Sequence, residues 1–393
     1  KTAFHNPSKS PMTRWAAMTL VLAEAEKNTK NATACKSWLE ASFMLSRLRN
    51  FFLTVLSAAL LAIPFHFDSL GPLAFIAFIP YFFVLDSRSS SGTFKYSYLF
   101  GLFFFCFLGY WLTNVNILGF FLLAAYLALY FAVFGFLAAK FKNFTESYEK
   151  ISIASITKTA FFLPAFWVAL EYVRGWLIGG LPWALLGYSQ WKALAFIQIA
   201  ELTGAYGVSY FVLFVNILLY QAIRMAAAAS GDFTEIGGIK ETKKKIFLTL
   251  SVLMIGAVAV VGGYGILALR SRANFYRSAN DKAVLRVSVL QGSIPQDEKW
   301  DTKIKNIIFE KYKRLTFMSA IEKSDLIVWP ETSFPGYLED EAVMAAQLRG
   351  AVRQSRTDVL IGAPTFGDLE KGLRFYNSAV LYGPDGEERQ RYS

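Results

Sequence analysis

From residue 51 onward the chain runs apolar again and again, for lengths that an ordinary soluble core does not need. About seven such segments, each near the ~20 residues that cross a bilayer, occupy 48–66, 71–86, 96–113, 117–139, 155–176, 204–223 and 246–268. Lipid offers no water to the backbone N–H and C=O groups, so each segment is expected to be a helix. The second is short and carries Pro80. Ahead of them, residues 1–43 are mixed and polar, with no strong period and no signal-peptide core. Met44, Arg47 and Arg49 directly precede the first segment, so 1–43 reads as an upstream over-extension or a disordered tail.

Beyond Arg270 the period changes. Residues 283–290 alternate as a strand and end at Gln291-Gly292. Between 301 and 324, Ile304, Ile307, Ile308, Tyr312, Leu315, Met318 and Ile321 share one helical face. A short apolar run at 326–329 predicts a buried strand, which Pro330 stops for want of an N–H. A helix over 341–353, strands over 357–364 and 377–382 and a turn at 383–386 follow. Strands alternating with helices predict a layered α/β domain. The expected boundaries are a helical membrane bundle at 44–270 and an α/β domain at 281–393.

Composition agrees with a membrane protein. Of 393 residues 54% are hydrophobic, 37 are Phe, and mean hydropathy is +0.36. The net charge is +11, and between 44 and 270 the Lys and Arg residues lie mostly in the links between segments. Arg47 and Arg49 precede the first segment. Arg88 and Lys95 follow the second, Lys140, Lys142 and Lys150 the fourth, and Arg224, Lys240 and 243–245 the sixth. The first link, at His66-Phe-Asp-Ser, and the third, at Thr113-Asn-Val-Asn116, have no Lys or Arg. By the positive-inside rule the N-terminus is then cytoplasmic, and everything past Arg270 lies outside the cytoplasm. No nucleic-acid-binding pattern accompanies the charge. Cys35 and Cys106 have no spaced partners and His5 and His66 stand alone, so neither a disulfide framework nor a metal site is expected.

The fifth link is long, apolar and aromatic: Trp176-Leu-Ile-Gly-Gly180-Leu-Pro-Trp183, then Gly187-Tyr188-Ser-Gln190-Trp191. Gly and Pro break a helix there, while Trp and Tyr favour the headgroup level, so it is expected to lie in the interface or to re-enter the membrane. Just before it, Glu171 and Arg174 fall on one helical face. They read either as a self-neutralising pair near a helix end or as charge placed at a membrane cavity.

One candidate for chemistry stands out. Glu331 follows the 326–329 strand, where an open α/β sheet keeps its reactive groups. A desolvated carboxylate there is a candidate general base, and a solvated or helix-capping Glu is the alternative.

The phrases Val289-Leu-Gln-Gly-Ser-Ile-Pro-Gln296, Lys299-Trp300 and Leu326-Ile-Val-Trp-Pro-Glu331-Thr-Ser resemble the first half of a nitrilase (carbon–nitrogen hydrolase) domain. With a membrane bundle ahead of them, they resemble bacterial apolipoprotein N-acyltransferases. In that bundle Glu171-Tyr-Val-Arg174-Gly-Trp, Gly180-Leu-Pro-Trp183, Gly187-Tyr-Ser-Gln190 and Gly204-Ala-Tyr-Gly207 carry the likeness. The resemblance implies a multi-pass α-helical membrane bundle followed by a partial nitrilase-like αββα domain. It implies a Glu–Lys–Cys triad with Glu331 as general base, and Trp300 near the substrate cavity. Packing of Trp300 into the strand-to-helix turn is its alternative. Tyr376-Asn377 is also family-like and reads as structural.

The Lys and Cys of the triad are expected beyond Ser393, together with a last membrane helix, so residues 1–393 by themselves are expected to be inactive. Cys35 and Cys106 read as inert thiols. The implied reaction moves an acyl chain from a phospholipid, through a thioester, to the N-terminal amine of a diacylated apolipoprotein. No cofactor is implied, and a monomer in the bacterial inner membrane with a periplasmic α/β domain is expected. The alternatives are a membrane-tethered amidase and a helical transporter or scaffold with an accessory domain.

Overall fold

A computed structural model describes residues 29–86, 90–140, 152–229, 237–278, 285–295, 299–367 and 374–393. Residues 1–28 of the expected leader lie outside these. The chain forms two compact units, Lys1–Arg277 and Ser278–Ser393.

The first unit is helical: α1 (Thr29–His66), α2 (Ile79–Asp86), α3 (Ser90–Leu108), α4 (Ile117–Ala138), α5 (Ile153–Arg174), the short α6 (Leu194–Ile197), α7 (Ala200–Ala229) and α8 (Gly237–Ser278). Among the described residues six helical stretches are long and apolar enough to cross a membrane: Glu40–His66, Asp68–Asp86, Ile117–Ala138, Ile153–Arg174, Ala200–Ala226 and Lys245–Phe275. The third expected span is shorter, Gly92–Leu108. Polar Ser90, Ser91 and Thr93 begin its helix, and a 3₁₀ turn at Tyr110–Asn114 takes its last residues. The first helix starts at Thr29, well before Met44. Ala32, Ala34, Leu39, Glu40 and Ala41 are good helix formers, so the helix continues back from the span into the expected leader.

Aromatic side chains hold the bundle together. Trp167 of α5 meets Phe78, Phe131 and Phe134 edge-on, with centroids 5.1, 4.9 and 5.1 Å away. Such contacts contribute roughly 0.5–1.5 kcal/mol each beyond area burial. The second span is broken, with a 3₁₀ turn (Asp68–Phe75) before α2. The break frees backbone groups inside the bundle, and side chains from other helices take them up. Asn216 of α7 accepts from Phe78 N at 3.0 Å and donates to Ala74 O at 2.8 Å. Ser57 of α1 accepts from Tyr81 N at 2.9 Å.

The second unit is a five-stranded sheet of β1 (Val287–Val289), β2 (Leu326–Val328), β3 (Asp358–Phe366), β4 (Phe375–Tyr382) and β5 (Glu388–Tyr392), paired in that order. β1, β2 and β3 are parallel, and β4 and β5 are antiparallel additions. The crossovers are α9 (Lys305–Ile321) and α10 (Ala342–Ser355). Ile308, Phe309, Leu348 and Val352 of these helices share one core with Ile327, Val359, Ile361 and Val380 of the sheet. Parallel strands need such crossovers, which is why the helical and strand periods alternate in the sequence. β5 has no sequence counterpart among the expected elements. Its residues are all exposed, so no apolar alternation marks it. The turn before it is fixed by Asp385, whose carboxylate accepts from Glu387 N at 3.1 Å and pairs with Arg389 at 2.6 Å. The Glu387 N–H, more than the guanidinium, holds that carboxyl below the usual carboxylate range.

Candidate active site and membrane cavity

In the second unit, β2 carries its ladder one residue past its end: Trp329 N donates to Leu360 O at 2.8 Å. The Trp329 ring is buried, stacked 5.1 Å from Tyr312 and donating from Nε1 to Thr316 Oγ1 at 2.9 Å. Pro330 ends the strand, and the chain then crosses over β3. Ser333 N and Phe334 N both donate to Gly362 O, at 2.9 and 3.1 Å. That crossing needs glycine at 362. A Cβ there would lie 2.3 Å from Pro330 O and 2.7 Å from Glu331 Cα, closer than any side chain tolerates. Thr332 takes a left-handed turn, φ 46°, which aims the segment back.

Glu331 emerges at this crossing with its side chain exposed, so the burial on which the desolvation argument rested is not there within this unit. Its carboxylate has a specific partner instead: Asn377 of β4 donates from Nδ2 to Glu331 Oε1. Lys299 approaches from the other side, giving Nζ to Thr332 Oγ1 at 2.6 Å and to the Glu331 carbonyl at 3.4 Å. Trp300 is not packed into the turn. It is 57% exposed, with the Lys299 ammonium 5.9 Å from its ring centroid. Glu331, Lys299, Thr332 and Asn377 thus gather at one strand end, with Trp300 beside Lys299. By sequence alone Asn377 reads as structural, and Lys299 has no separate role. Asn377 lies 46 residues from Glu331, so only the β3–β4 pairing reveals the contact.

In the first unit the fifth link is neither span nor free loop. It folds into two 3₁₀ turns, Leu177–Gly179 and Leu186–Gln190. Glu171 and Arg174 are buried, and no direct ion pair joins them among the described residues. Both also reach the link. Glu171 Oε1 accepts from Leu186 N at 2.7 Å and from Trp167 Nε1 at 2.9 Å. Arg174 Nη2 donates to Trp183 O at 2.8 Å. The link so held forms one wall of an open, mostly apolar cavity of about 280 Å³ lined by Phe65, Phe105, Leu108, Phe120, Leu127 and Trp183. Trp183 meets Trp111, in the Tyr110–Asn114 turn that leads into the third link, edge-on at 5.2 Å, and Lys192 pairs with Asp68 of the first link at 2.8 Å. Odd-numbered links therefore share one end of the bundle. At the even-numbered links, Arg224 pairs with Asp86 at 3.0 Å.

Comparison with known proteins follows the same division. Residues 57–218 match the apolipoprotein N-acyltransferase N-terminal domain, and residues 286–393 match the carbon-nitrogen hydrolase domain. An apolipoprotein N-acyltransferase of Geobacter metallireducens is 32% identical over 353 residues, covering 86% of this chain and 62% of the relative. Both units of the chain are thus similar to apolipoprotein N-acyltransferases. The enzyme of that name from Haemophilus influenzae is 29% identical over 328 residues, covering 80% of this chain and 55% of its own length. The chain thus spans about three-fifths of the curated acyltransferases it matches. Its apolar helices and these relatives make this a multi-pass bacterial membrane protein. The glutamate that ends β2 and the aromatic link both lie within the matched stretches.

Proposed function

We propose that the protein acts in lipoprotein maturation, moving an acyl chain from a membrane phospholipid to the α-amine of a diacylglyceryl-cysteine at the N-terminus of an apolipoprotein. The observation that carries this is Glu331 at the open end of β2, one carboxylate oxygen held by Asn377, in a chain whose other unit is a membrane bundle with an apolar cavity. In the first step Glu331 takes the proton of a cysteine thiol, and the thiolate attacks the ester carbonyl carbon of the phospholipid. The tetrahedral oxyanion is stabilised by a lysine and collapses. The lyso-phospholipid alkoxide leaves with the proton from Glu331, and the acyl group stays as a thioester. In the second step the lipoprotein amine attacks the thioester carbonyl, Glu331 receives the amine proton, and the thiolate is expelled as the amide forms.

In this proposal that thiol and that lysine lie C-terminal to Glu331, and neither Cys35 nor Cys106 is assigned the role. Trp300 is proposed to contact substrate, and the apolar cavity to receive lipid tails. The proposed arrangement is a monomer in the cytoplasmic membrane, N-terminus inside, with bundle 44–270 and α/β domain 281–393, the latter periplasmic. No cofactor or nucleic acid takes part. The test is transfer of a labelled acyl chain from phospholipid to a diacylated lipopeptide by the full-length protein. Glu331→Gln keeps the side-chain volume and loses the base, so transfer should fall by roughly 10²–10⁴-fold. Full transfer by that variant would leave Glu331 a structural residue.

A further inference from the structure

The carboxylate of Glu331 is held asymmetrically. Asn377 Nδ2 donates to Oε1, and among the described residues nothing else donates to either oxygen. The orientation of the amide follows from chemistry: an ionised carboxylate only accepts, so the NH₂ group and not the carbonyl must face it. Both partners are positioned from a single strand. Gly362 O of β3 grips Ser333 N and Phe334 N just after Glu331, and Pro364, two residues on, is the register partner of Asn377 in β4. Diagonally across that pair, Thr365 Oγ1 of β3 and Ser378 Oγ of β4 fasten the two strands again at 2.5 Å. The separation of the amide from the carboxylate is therefore set by the sheet and not by flexible loops.

The charges around Glu331 leave this contact as its side-chain tether. Lys299, the cation that reaches this segment, is engaged with the Thr332 hydroxyl and the main chain of Glu331. An amide donor stabilises the ionised form of a carboxylate without neutralising it, which a salt-bridged ammonium would do more strongly. The tether also fixes the plane of the carboxylate by occupying one oxygen and leaving the other open.

We propose that Asn377 is a positioning residue that caps Glu331 Oε1, so that Oε2 is the oxygen that takes the proton from the attacking thiol. This rests on the reading of Glu331 as general base.

The experiment uses the full-length protein and follows thioester formation from a labelled phospholipid across pH. Asn377→Asp replaces the donor by a second carboxylate, and two carboxylates sharing a site raise one pKa. The acid limb of the acylation profile should move up by about one pH unit or more. Asn377→Leu removes the tether at similar volume and should slow acylation by up to about 10²-fold in protein whose unfolding midpoint is unchanged. A midpoint in pH does not depend on how much protein folds, so a poorly folding Asp variant still reports. An acid limb that superimposes on that of the unaltered protein overturns the proposal, as does unchanged acylation in Asn377→Leu. If the unaltered protein forms no thioester, the functional reading fails separately. The pair is then judged by the infrared carboxylate band that Glu331→Gln removes. A higher titration midpoint of that band in Asn377→Asp supports the tether, and an unchanged one refutes it.

Discussion

Trp329 and Trp300 are both aromatic and lie near the same strand end, yet their surroundings give them opposite duties. Trp329 is buried with its N–H satisfied by Thr316, so it anchors the end of β2 to α9. Trp300 is mostly exposed and buries little on folding of its unit. Trp300→Ala is therefore expected to change unfolding stability by no more than about 0.5 kcal/mol while raising the KM for acyl substrates. Chemical unfolding and steady-state kinetics on the same preparation check this, and a stability loss without a KM change would assign the ring to packing. Glu331 was legible in the sequence because a proline and a carboxylate directly end an apolar run. Its exposure and its tether were not. Burial depends on what the other elements cover, and Asn377 reaches the carboxylate through the β3–β4 register, which no local pattern encodes.

Among the elements, long apolar runs were easily read because lipid demands them, whereas the broken second span and the folded fifth link were not. Pro72 and Pro80 hint at a break, but its repair comes from Asn216, over 130 positions away. Asn216→Leu would leave Phe78 N–H and Ala74 C=O unpaired inside the bundle. Each orphaned group costs about 1–3 kcal/mol, so the variant should unfold at clearly lower denaturant in detergent. An unchanged midpoint would mean that the two backbone groups find other partners. The fifth link shows the same logic with charge. Glu171 and Arg174 were legible as a pair by their spacing, but spacing says nothing of a chain segment folding back over them. Strand β5, all polar and exposed, owes its place to the ladder with β4 and not to its own composition.

For the whole molecule, the alternation of basic and neutral links has a structural counterpart, since the first, third and fifth links meet at one end of the bundle. The proposed orientation puts that end outside and the α/β unit on the same side. Alkaline phosphatase fused after Arg277 should then be active, and the same enzyme fused after Lys243 inactive. The reverse pattern would invert the topology. The central claim is that Glu331 serves a thioester-forming acyltransferase. Its most direct measurement is the intact mass of the full-length protein after incubation with a phospholipid. A gain of one fatty acyl chain is expected, removable by hydroxylamine and strongly reduced in Glu331→Gln. No acyl adduct on the unaltered protein, or an equal adduct in the Gln variant, would contradict it.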